Sequence, residues 1–587
     1  MANLAGSPSD ASLSNFRPIS LTPFTPTLRH TLRHSSWAVR VVALLLGTGL
    51  SLPAKLVAQA VAGVGDDAIP LPKGGYRFLV SGLWNGYDAS YRAGADGYRS
   101  RPLLSGLRTD QLGVGLLPQL DAAQLGLRSL TGDDAFAISL GALEARGDVR
   151  QSIAPIAVDY GITKRVSVRL LVPYVESRDN AQLLLNRNGS GANVGLNPAF
   201  VAGTGSAARQ LNGAVIAQLT QARSELAAEI TRCTDAMATA CDAIRANPAG
   251  VQALLARALT TQNAVRQVYG DASQGGAPVV PIAGSTVQST VAATIDALRQ
   301  DFTALGVSAI TSGTAPAAAT TVLGPAGMSR IATDSAWKAG YAALGNTRRS
   351  GIGDIDLTAS VLLYDTFAAD QARRLLAPTR GVRSMLTAGW RFGTAGADRS
   401  EDAFDVPIGD GANALLVRST TDLVLNRLTW ISASVRAALP FSDNIAVALP
   451  FRDVERTFSP MLRVESVSRS LGPRVELELA PRLALGQFFG ISGAYLMRRW
   501  GEDRYESKLP GDITDPMASS VVASRTLQAA AFGVTFSTLA SYTRGRSRFP
   551  AEVIYTRTVP IGGSGGVVPA INTDRLELRV YTGFPRR

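Results

Sequence analysis

The stretch at residues 159–176 reads DYGITKRVSVRLLVPYVE, a polar turn followed by a regular alternation of side chains. After the turn, one face of the chain carries Val166, Val168, Leu170, Val172 and Tyr174, and the other carries Ser167, Arg169, Leu171 and Pro173. Period-two alternation is typical of a β-strand with one apolar face. Because an arginine lies in the middle of the run, its face needs water or a partner. The strand belongs either to a soluble sandwich or to a membrane barrel.

The composition limits the class of protein. The chain has 587 residues, of which 18% are charged and 57 are glycine, and its mean hydropathy is +0.11. Beyond the N-terminal region it contains no apolar run long enough for a spanning helix, which needs roughly 20 residues. A transmembrane barrel and a large exported β-protein both fit these values.

Residues 1–60 carry the pattern of a secretory signal peptide. Arg29, Arg33 and Arg40 precede an apolar run at residues 41–52, and an A-x-A site follows at residues 58–60. A basic region, a short apolar region and a small-residue cleavage site in this order predict export with cleavage after Ala60. A signal anchor that stays in the membrane is the alternative.

Histidine is informative by its scarcity. The chain has only His30 and His34, both within the predicted signal peptide. Mechanisms that use a histidine base and metal sites that use a histidine ligand are therefore excluded from the mature chain. Phosphate-binding loops, dinucleotide fingerprints and CxxC pairs do not occur. We expect no enzyme, no cofactor and no metal. The net charge of +12 is spread along the chain, so we expect no nucleic-acid partner.

Long alternating segments recur in the second half of the chain. The predicted strands lie at residues 351–361, 382–392, 412–425, 427–439, 460–469, 474–485, 488–499, 524–537, 547–558 and 574–584. Most have the length of about 10–14 residues that a tilted strand needs to cross a bilayer, whereas soluble strands usually have about 5–6. The pattern predicts an all-β transmembrane antiparallel barrel of about 12 strands, or 14, in a bacterial outer membrane.

Charged side chains occupy the second face of these strands. Since lipid offers no partners for them, a closed barrel with a wet interior suits both faces. The residues predicted to line the lumen are Arg169, Asp354, Asp356, Arg383, Arg391, Arg436, Arg463, Glu465, Arg474, Glu476, Glu478, Arg575, Glu577 and Arg579. Their signs are interspersed, which predicts weak ion selectivity. The outward face of a soluble sandwich is the competing interpretation.

The domain boundaries follow from these patterns. Residues 61–133 are predicted to be loop-rich with an ambiguous strand at 76–91, and residues 134–178 and 350–587 form the barrel. Residues 179–349 contain apolar residues at heptad spacing, among them Leu211, Val215 and Leu219, and later Val291 and Ile295. This rhythm predicts an inserted α-helical subdomain. A disordered, alanine-rich loop is the alternative.

Both cysteines, Cys233 and Cys241, lie in the predicted insertion. On one continuous helix they would be about 12 Å apart, too far for a disulfide. Either the helix breaks between them and they form a disulfide, or they stay apart. An oxidising compartment favours the disulfide.

Several of these motifs resemble one family of outer-membrane proteins. The turn and strand YGITKRVSVRLLVPYV at residues 160–175, the GIGDIDLTASVLLY segment at 351–364 and the block at 385–439 resemble the outer-membrane family linked to the meta-cleavage pathway of phenol degradation. The resemblance covers roughly residues 136–178 and 350–540. It implies a barrel of about 12 strands that takes up or exports small, often apolar compounds. The family has no counterpart of the insertion at 179–349.

Two functions follow from the sequence. The first is an outer-membrane channel or transporter for small apolar or aromatic compounds, with membrane lipid, the solute and the barrel-assembly machinery as partners. The second is a structural or adhesion barrel whose lumen is plugged and whose helical insertion binds a partner. Planar-bilayer conductance tests the first function, and protease treatment of intact cells locates the insertion relative to the membrane.

Overall fold

Twelve long antiparallel strands form the wall of a closed barrel in this computed structural model. The wall strands are β1 Tyr76–Tyr87, β2 Leu143–Gly161, β3 Val166–Leu185, β4 Ile355–Asp365, β5 Gly381–Phe392, β6 Ala414–Val424, β7 Thr429–Pro440, β8 Arg474–Leu485, β9 Phe489–Trp500, β10 Arg525–Ser537, β11 Ala551–Gly565 and β12 Asn572–Tyr581. Each strand pairs with the next one in the chain, and β12 pairs with β1, so that the wall has no free edge. The predicted fold class is confirmed, with twelve wall strands.

The structure describes residues 67–94, 96–189, 191–201, 203, 205–235, 241–337, 346–367, 380–396, 406–426, 428–449, 463–486, 488–507 and 519–583. The predicted signal peptide, residues 1–60, lies outside these ranges.

The hairpin of β2 and β3 shows why the opening motif forms a wall. Residues 162–165 make a tight turn, and the register places Asp159 opposite Arg169 and Tyr160 opposite Val168. Leu170 and Tyr174 are exposed on the outer face, whereas Leu171 and Val175 are buried inside. The alternation in the sequence is therefore the alternation between the outside and the lumen.

The two ends of the barrel differ in their connections. Arg77 near the start of β1 lies opposite Tyr581 at the end of β12, so both chain ends of the wall meet at one end of the barrel. At this end, which we name the turn end, connections of only a few residues join β2 to β3, β6 to β7 and β8 to β9. The opposite end, the loop end, carries every long connection that contains a further sheet or a helical domain. Outer-membrane barrels show this asymmetry, with short periplasmic turns and longer outer loops.

Shorter strands extend the wall at the loop end. A four-stranded sheet is built from Asp443–Leu449, Arg463–Ser470, Asp503–Ser507 and Ser519–Val522, and a three-stranded sheet from Ala89–Arg92, Arg99–Pro102 and Val568–Pro569. The strand Thr347–Ile352, which lies just before β4 in the sequence, pairs with residues 174–179 of β3. Val194–Leu196 pairs with Val279–Pro281 in a two-stranded sheet.

A helical domain lies at the loop end. Its helices are α1 Asp121–Thr131, α2 Ser206–Asp235, α3 Asp242–Ala246, α4 Pro248–Tyr269, α5 Thr286–Ala304 and α6 Gly327–Thr333, and a short α7, Leu539–Thr543, lies apart from them at the turn end. Of the predicted heptad residues, Val215, Leu219, Val291 and Ile295 are fully buried in its core, whereas Leu211 is exposed. The end of β3, through Leu185, belongs to the same core, so the domain is continuous with the barrel wall. No helix among the described residues is long and apolar enough to cross a membrane.

Three predicted boundaries need correction. The strand at 76–91 is real and is the wall strand β1, but the leucine-rich segment after it forms α1, which packs on α4 and α5. The barrel was predicted to begin at residue 134, but its strand β2 begins at Leu143. Phe136, Ile138 and Leu140, which precede it, are buried in the helical core. The wall strand β3 continues to Leu185, beyond the predicted start of the insertion.

The two cysteines are joined in the helical domain. Helix α2 ends at Asp235 and α3 begins at Asp242, and a disulfide connects Cys233 with Cys241 at a Cα–Cα distance of 5.4 Å. The two residues do not share one helix, which brings their Cα atoms within the range that a disulfide needs.

Candidate functional site: the barrel lumen

The outer surface of the wall is apolar. Leu170, Leu363, Phe532, Ile561 and Leu576 point away from the lumen and are exposed. Removing one such side chain from water is worth roughly 1.5–3 kcal/mol, and these residues recur around the whole wall. A closed barrel with a continuous apolar exterior is suited to lipid, where every backbone group must be paired within the wall. The chain is an outer-membrane barrel.

Aromatic side chains cluster at both ends of the wall. At the turn end the rings of Tyr76 and Tyr160 lie 4.8 Å apart, and those of Phe489 and Phe536 lie 5.4 Å apart. Toward the loop end Trp390 stacks on Phe441 at 4.9 Å. Aromatic girdles at these two levels are typical of membrane-spanning barrels because amphipathic rings favour the interface.

The segment before β1 crosses the lumen at the turn end. The backbone N–H of Ala68 donates to Asp422 Oδ2 on β6 at 3.0 Å. The carboxylate of Asp67 lies 3.4 Å from Arg579 on β12 and 3.9 Å from Arg482 on β8. Since β6, β8 and β12 are separated around the wall, a segment that contacts all three lies inside the barrel. Residues 67–72 are named the N-terminal segment below.

The N-terminal segment also explains the glycine of the opening motif. The carbonyl oxygen of Pro72 lies only 2.1 Å from the place where a Cβ on residue 161 would stand. Gly74 donates to the carbonyl of Gly161 at 2.7 Å, and Gly161 donates to that of Gly75 at 2.9 Å. Only glycine allows the two backbones to approach this closely. The turn of the hairpin is thus the place where the N-terminal segment enters the barrel.

A second segment narrows the lumen from the loop end. The structure describes two parts of the connection between β5 and β6, residues 393–396 and 406–413, and these two parts are named the inner loop. Asp354 accepts hydrogen bonds from the N–H groups of Ala395 and Asp410, at 3.1 and 2.8 Å. Ile408 packs on the inward side chains Leu83 and Val175. One buried carboxylate therefore holds both described parts of the inner loop inside the barrel.

A cavity of about 250 Å³ lies in the lumen. Its apolar lining comes from several wall strands and includes Leu83, Leu171, Leu496, Trp500, Leu527 and Ala529. Its charged lining comprises Arg169, Asp356, Arg391, Arg418, Arg436, Arg474, Glu476, Arg498 and Arg575. Val406 of the inner loop and Ile571 before β12 also contact it. The cavity is therefore amphipathic.

Arginines and carboxylates form a connected network around the cavity. Arg436 donates to Glu476 at 2.5 Å and to Glu478 at 2.7 Å, and Arg498 donates to the second oxygen of Glu476 at 2.6 Å. Arg391 forms a bidentate pair with Asp356 at 2.7 and 2.8 Å. Such charge-assisted contacts are the strong class of hydrogen bond and fix the geometry of both partners. The polar lining of the cavity is preorganised.

The network continues toward the turn end. Asp159 pairs with Arg77 at 2.5 Å and with Arg169, its cross-strand neighbour. Arg383 donates to Asp422 at 2.7 Å, on the carboxylate that also holds Ala68. The ion pairs in the part of the lumen near the turn end thus hold the N-terminal segment in place.

The structure brings most of the predicted lumen residues to the interior. Seven of them line the cavity: Arg169, Asp356, Arg391, Arg436, Arg474, Glu476 and Arg575. Five others are buried and paired on the inner side: Asp354, Arg383, Glu478, Glu577 and Arg579. Asp354 holds the inner loop, and Glu577 pairs with Arg575 and Arg579.

Arg463 and Glu465 need correction. Their strand, Arg463–Ser470, pairs in the four-stranded sheet at the loop end and is not one of the twelve wall strands. The polypeptide leaves the wall after β7 and re-enters it at β8, so an alternating strand can lie beyond the lumen. The side chains of both residues lie outside the described part of the chain.

Several residues of the lumen were not predicted from the sequence. Asp159 could have been found, because the tight turn at 162–165 fixes its position opposite Arg169. Arg498 is one of two adjacent arginines on β9, and one of two neighbours in a strand must point inward. Tyr87, Gln151 and Asp67 carry no such signal, because their place in the lumen depends on segments distant in the sequence.

Comparisons with known proteins give only distant structural similarities. No family model matches the sequence, and no curated protein matches it. Among solved structures, an outer membrane channel from Pseudomonas putida F1 aligns at 9% identity and a TM-score of 0.37, covering 89% of this chain and 99% of that one. A FadL homologue of Pseudomonas aeruginosa aligns at 6% identity and a TM-score of 0.25, covering 88% and 95%. The toluene transporter TbuX of Ralstonia pickettii aligns at 8% identity and a TM-score of 0.23, covering 88% and 92%. Because these identities and TM-scores are low, the function of the chain has to be argued from its own residues.

Proposed function

We propose that this chain is an outer-membrane channel that passes small solutes with an apolar or aromatic body through its lumen. The observation that carries the proposal is the cavity of about 250 Å³ inside the closed wall. An apolar cavity of about 150 Å³ is large enough for benzene, so this one has room for a substituted ring. Leu83, Leu171 and Trp500 provide apolar contact, and the arginine network provides polar contact.

The sequence resemblance to the family of the meta-cleavage pathway of phenol degradation belongs to the same proposal. That resemblance supports aromatic compounds as the solute class, and it rests on the motifs at residues 160–175 and 351–364. Insertion by the barrel-assembly machinery is proposed on the same basis.

The experiment is solute flux into liposomes that contain the purified mature protein. Phenol-sized solutes are expected to enter faster than into protein-free liposomes, and a large sugar polymer is expected to be excluded. Equal rates with and without the protein, at verified barrel content, would contradict a channel. Heat-dependent migration on a gel verifies that the reconstituted barrel is folded.

The second candidate is a plugged barrel whose helical domain binds a partner. The observation that favours it is that the N-terminal segment and the inner loop both occupy the lumen. It predicts no solute flux in any variant, and capture of a partner by the helical domain at the loop end. The flux experiment separates the two candidates.

A further inference from the structure

The charges that face the cavity are unequal in number. Among the described residues, seven arginines line it against two carboxylates, Asp356 and Glu476. The predicted lumen residues carry both signs, interspersed along the sequence, which predicted weak selectivity. In the structure the two signs do not lie at the same depth.

The carboxylates that balance these arginines lie behind them. The side chains of Asp159, Glu478 and Glu577 are exposed by 3%, 1% and 1%. Those of the arginines that pair with them, Arg169, Arg436 and Arg575, are exposed by 19%, 11% and 11%. A solute in the cavity is therefore closer to guanidinium groups than to their counter-charges. Because Coulomb energy falls with distance, the cavity favours a negative charge.

Three residues that line the same cavity carry a buried hydrogen-bond donor without a partner in the protein. Tyr87 Oη, Gln151 Nε2 and Arg474 Nη2 are buried without a hydrogen-bond partner in the protein, and all three residues line the cavity. The carbonyl oxygen of Gln151 already accepts from Asn85 at 3.1 Å, which leaves its NH₂ group to donate. Buried donors without partners are rare because each costs roughly 1–3 kcal/mol. A ligand with acceptor oxygens would satisfy them.

The rest of the lining is apolar. Leu83, Leu171, Leu527 and the indole of Trp500 contact the cavity. Arg498 and Arg525 lie 5.8 and 5.5 Å from the Trp500 ring, which keeps the ring next to positive charge. A solute that satisfies all three features has an apolar body, at least two acceptor oxygens and a negative charge.

We propose that the lumen cavity selects small organic carboxylates, with an aromatic or short aliphatic body, over cations and over neutral hydrocarbons. The proposal rests on the channel function proposed above and names its substrate class. The carboxylate is drawn by the inward arginines and accepts hydrogen bonds from Tyr87, Gln151 and Arg474, and its body packs on the leucines and Trp500.

The test uses the mature protein in planar bilayers and in detergent. In a salt gradient the reversal potential is expected to report preference for chloride over potassium, and benzoate is expected to permeate faster than benzylammonium. Isothermal titration is expected to detect benzoate binding but no binding of benzyl alcohol at the same concentration.

Matched variants identify the groups responsible. Arg498 points into the lumen and its neighbour Arg499 points outward and is exposed. Arg498→Gln is expected to lower the anion-to-cation permeability ratio about twofold, whereas Arg499→Gln is expected to leave it unchanged. Tyr87→Phe removes one donor without a change of charge, so it is expected to weaken benzoate binding about threefold or more while the reversal potential stays the same.

The outcomes separate the two proposals. Conductance without anion preference, or equal effects of Arg498→Gln and Arg499→Gln, would overturn the carboxylate proposal and leave the channel. Absence of conductance together with benzoate binding would overturn the channel and leave the site. Absence of both conductance and benzoate binding would overturn both.

Discussion

At the scale of single residues, the lumen depends on carboxylates shared between arginines. Glu476 accepts from Arg436 at 2.5 Å and from Arg498 at 2.6 Å, and all three residues line the cavity. Asp159 is shared in the same way by Arg77 and Arg169. When one partner of a buried ion pair is removed, the remaining charge is uncompensated at a cost of about 3–5 kcal/mol. Each shared carboxylate therefore contributes both to the stability of the fold around it and to the net charge of the lumen.

Glu476→Gln tests this charge balance in the direction opposite to loss of an arginine. The substitution removes one of the two lining carboxylates and leaves Arg436 and Arg498 in place, so the anion-to-cation permeability ratio is expected to rise about twofold. Reversal potentials in a salt gradient measure it. Glu225→Gln in α2, outside the barrel, is the control and is expected to have no effect. A shift toward cations in the Glu476 variant would refute the charge balance described for the cavity.

The sequence predicted the lumen residues whose inward orientation follows from the alternation of neighbouring side chains. Arg169, Asp356 and Glu476 each alternate with apolar neighbours, and each lines the cavity. Asp67 was not accessible in this way, because its role depends on Arg482 and Arg579, which are more than 400 residues away in the sequence. The unpaired state of Tyr87 and Gln151 was equally hidden, since it is a property of the packed lumen and not of the strand that carries them.

At the scale of elements, the N-terminal segment crosses the lumen at the turn end and is fixed there by several contacts. It is held by the hydrogen bond from the Ala68 N–H to Asp422 and by the contacts of Asp67 with Arg579 and Arg482. Leu71 adds an apolar contact with Leu539 of α7 and with Tyr581. A solute that crosses the barrel has to pass this segment.

Ala68→Pro is the sharpest test of the N-terminal segment. Proline has no N–H, so the hydrogen bond to Asp422 is lost and a buried carboxylate oxygen loses one donor. The segment is expected to loosen, and single-channel conductance is expected to increase at least about twofold. Ala68→Gly keeps the N–H and is the control. Equal conductance in the proline and glycine variants would show that the hydrogen bond does not hold the segment.

The bounds of strands with one lipid-facing side were predicted well. Elements whose burial comes from contact with other parts of the protein were predicted poorly. The bounds predicted for β8, residues 474–485, are those of the structure, because its outer face is apolar along its whole length. Helix α1 was missed, since the leucine-rich segment at 103–130 has no clear period and its burial comes from packing against α4 and α5. The strand Arg463–Ser470 alternates like a wall strand, but it pairs with Asp443–Leu449 and Asp503–Ser507 in the four-stranded sheet at the loop end.

At the scale of the whole molecule, the barrel and the helical domain have separate environments. The wall is apolar outside, whereas the helical domain has its own buried core and extends from β2 and β3 at the loop end. If the turn end faces the periplasm, as short turns do in outer-membrane barrels, the helical domain lies on the cell surface.

Protease treatment of intact cells tests this orientation. Cleavage is expected in the helical domain at the loop end, and the wall strands are expected to resist because their backbone is fully paired in lipid. Mass spectrometry of the released peptides locates the cuts, and a periplasmic marker protein is the control for cell integrity. Cuts at the turn at 162–165, with an intact helical domain, would reverse the orientation.

The most direct test of the central claim, that the lumen is a path for small solutes, is single-channel recording of the mature protein in a planar bilayer. We predict discrete conductance steps for the wild-type barrel, with a reversal potential that reports anion preference and a step size that increases in Ala68→Pro. A folded barrel that shows no steps, both as wild type and as Ala68→Pro, would contradict the claim.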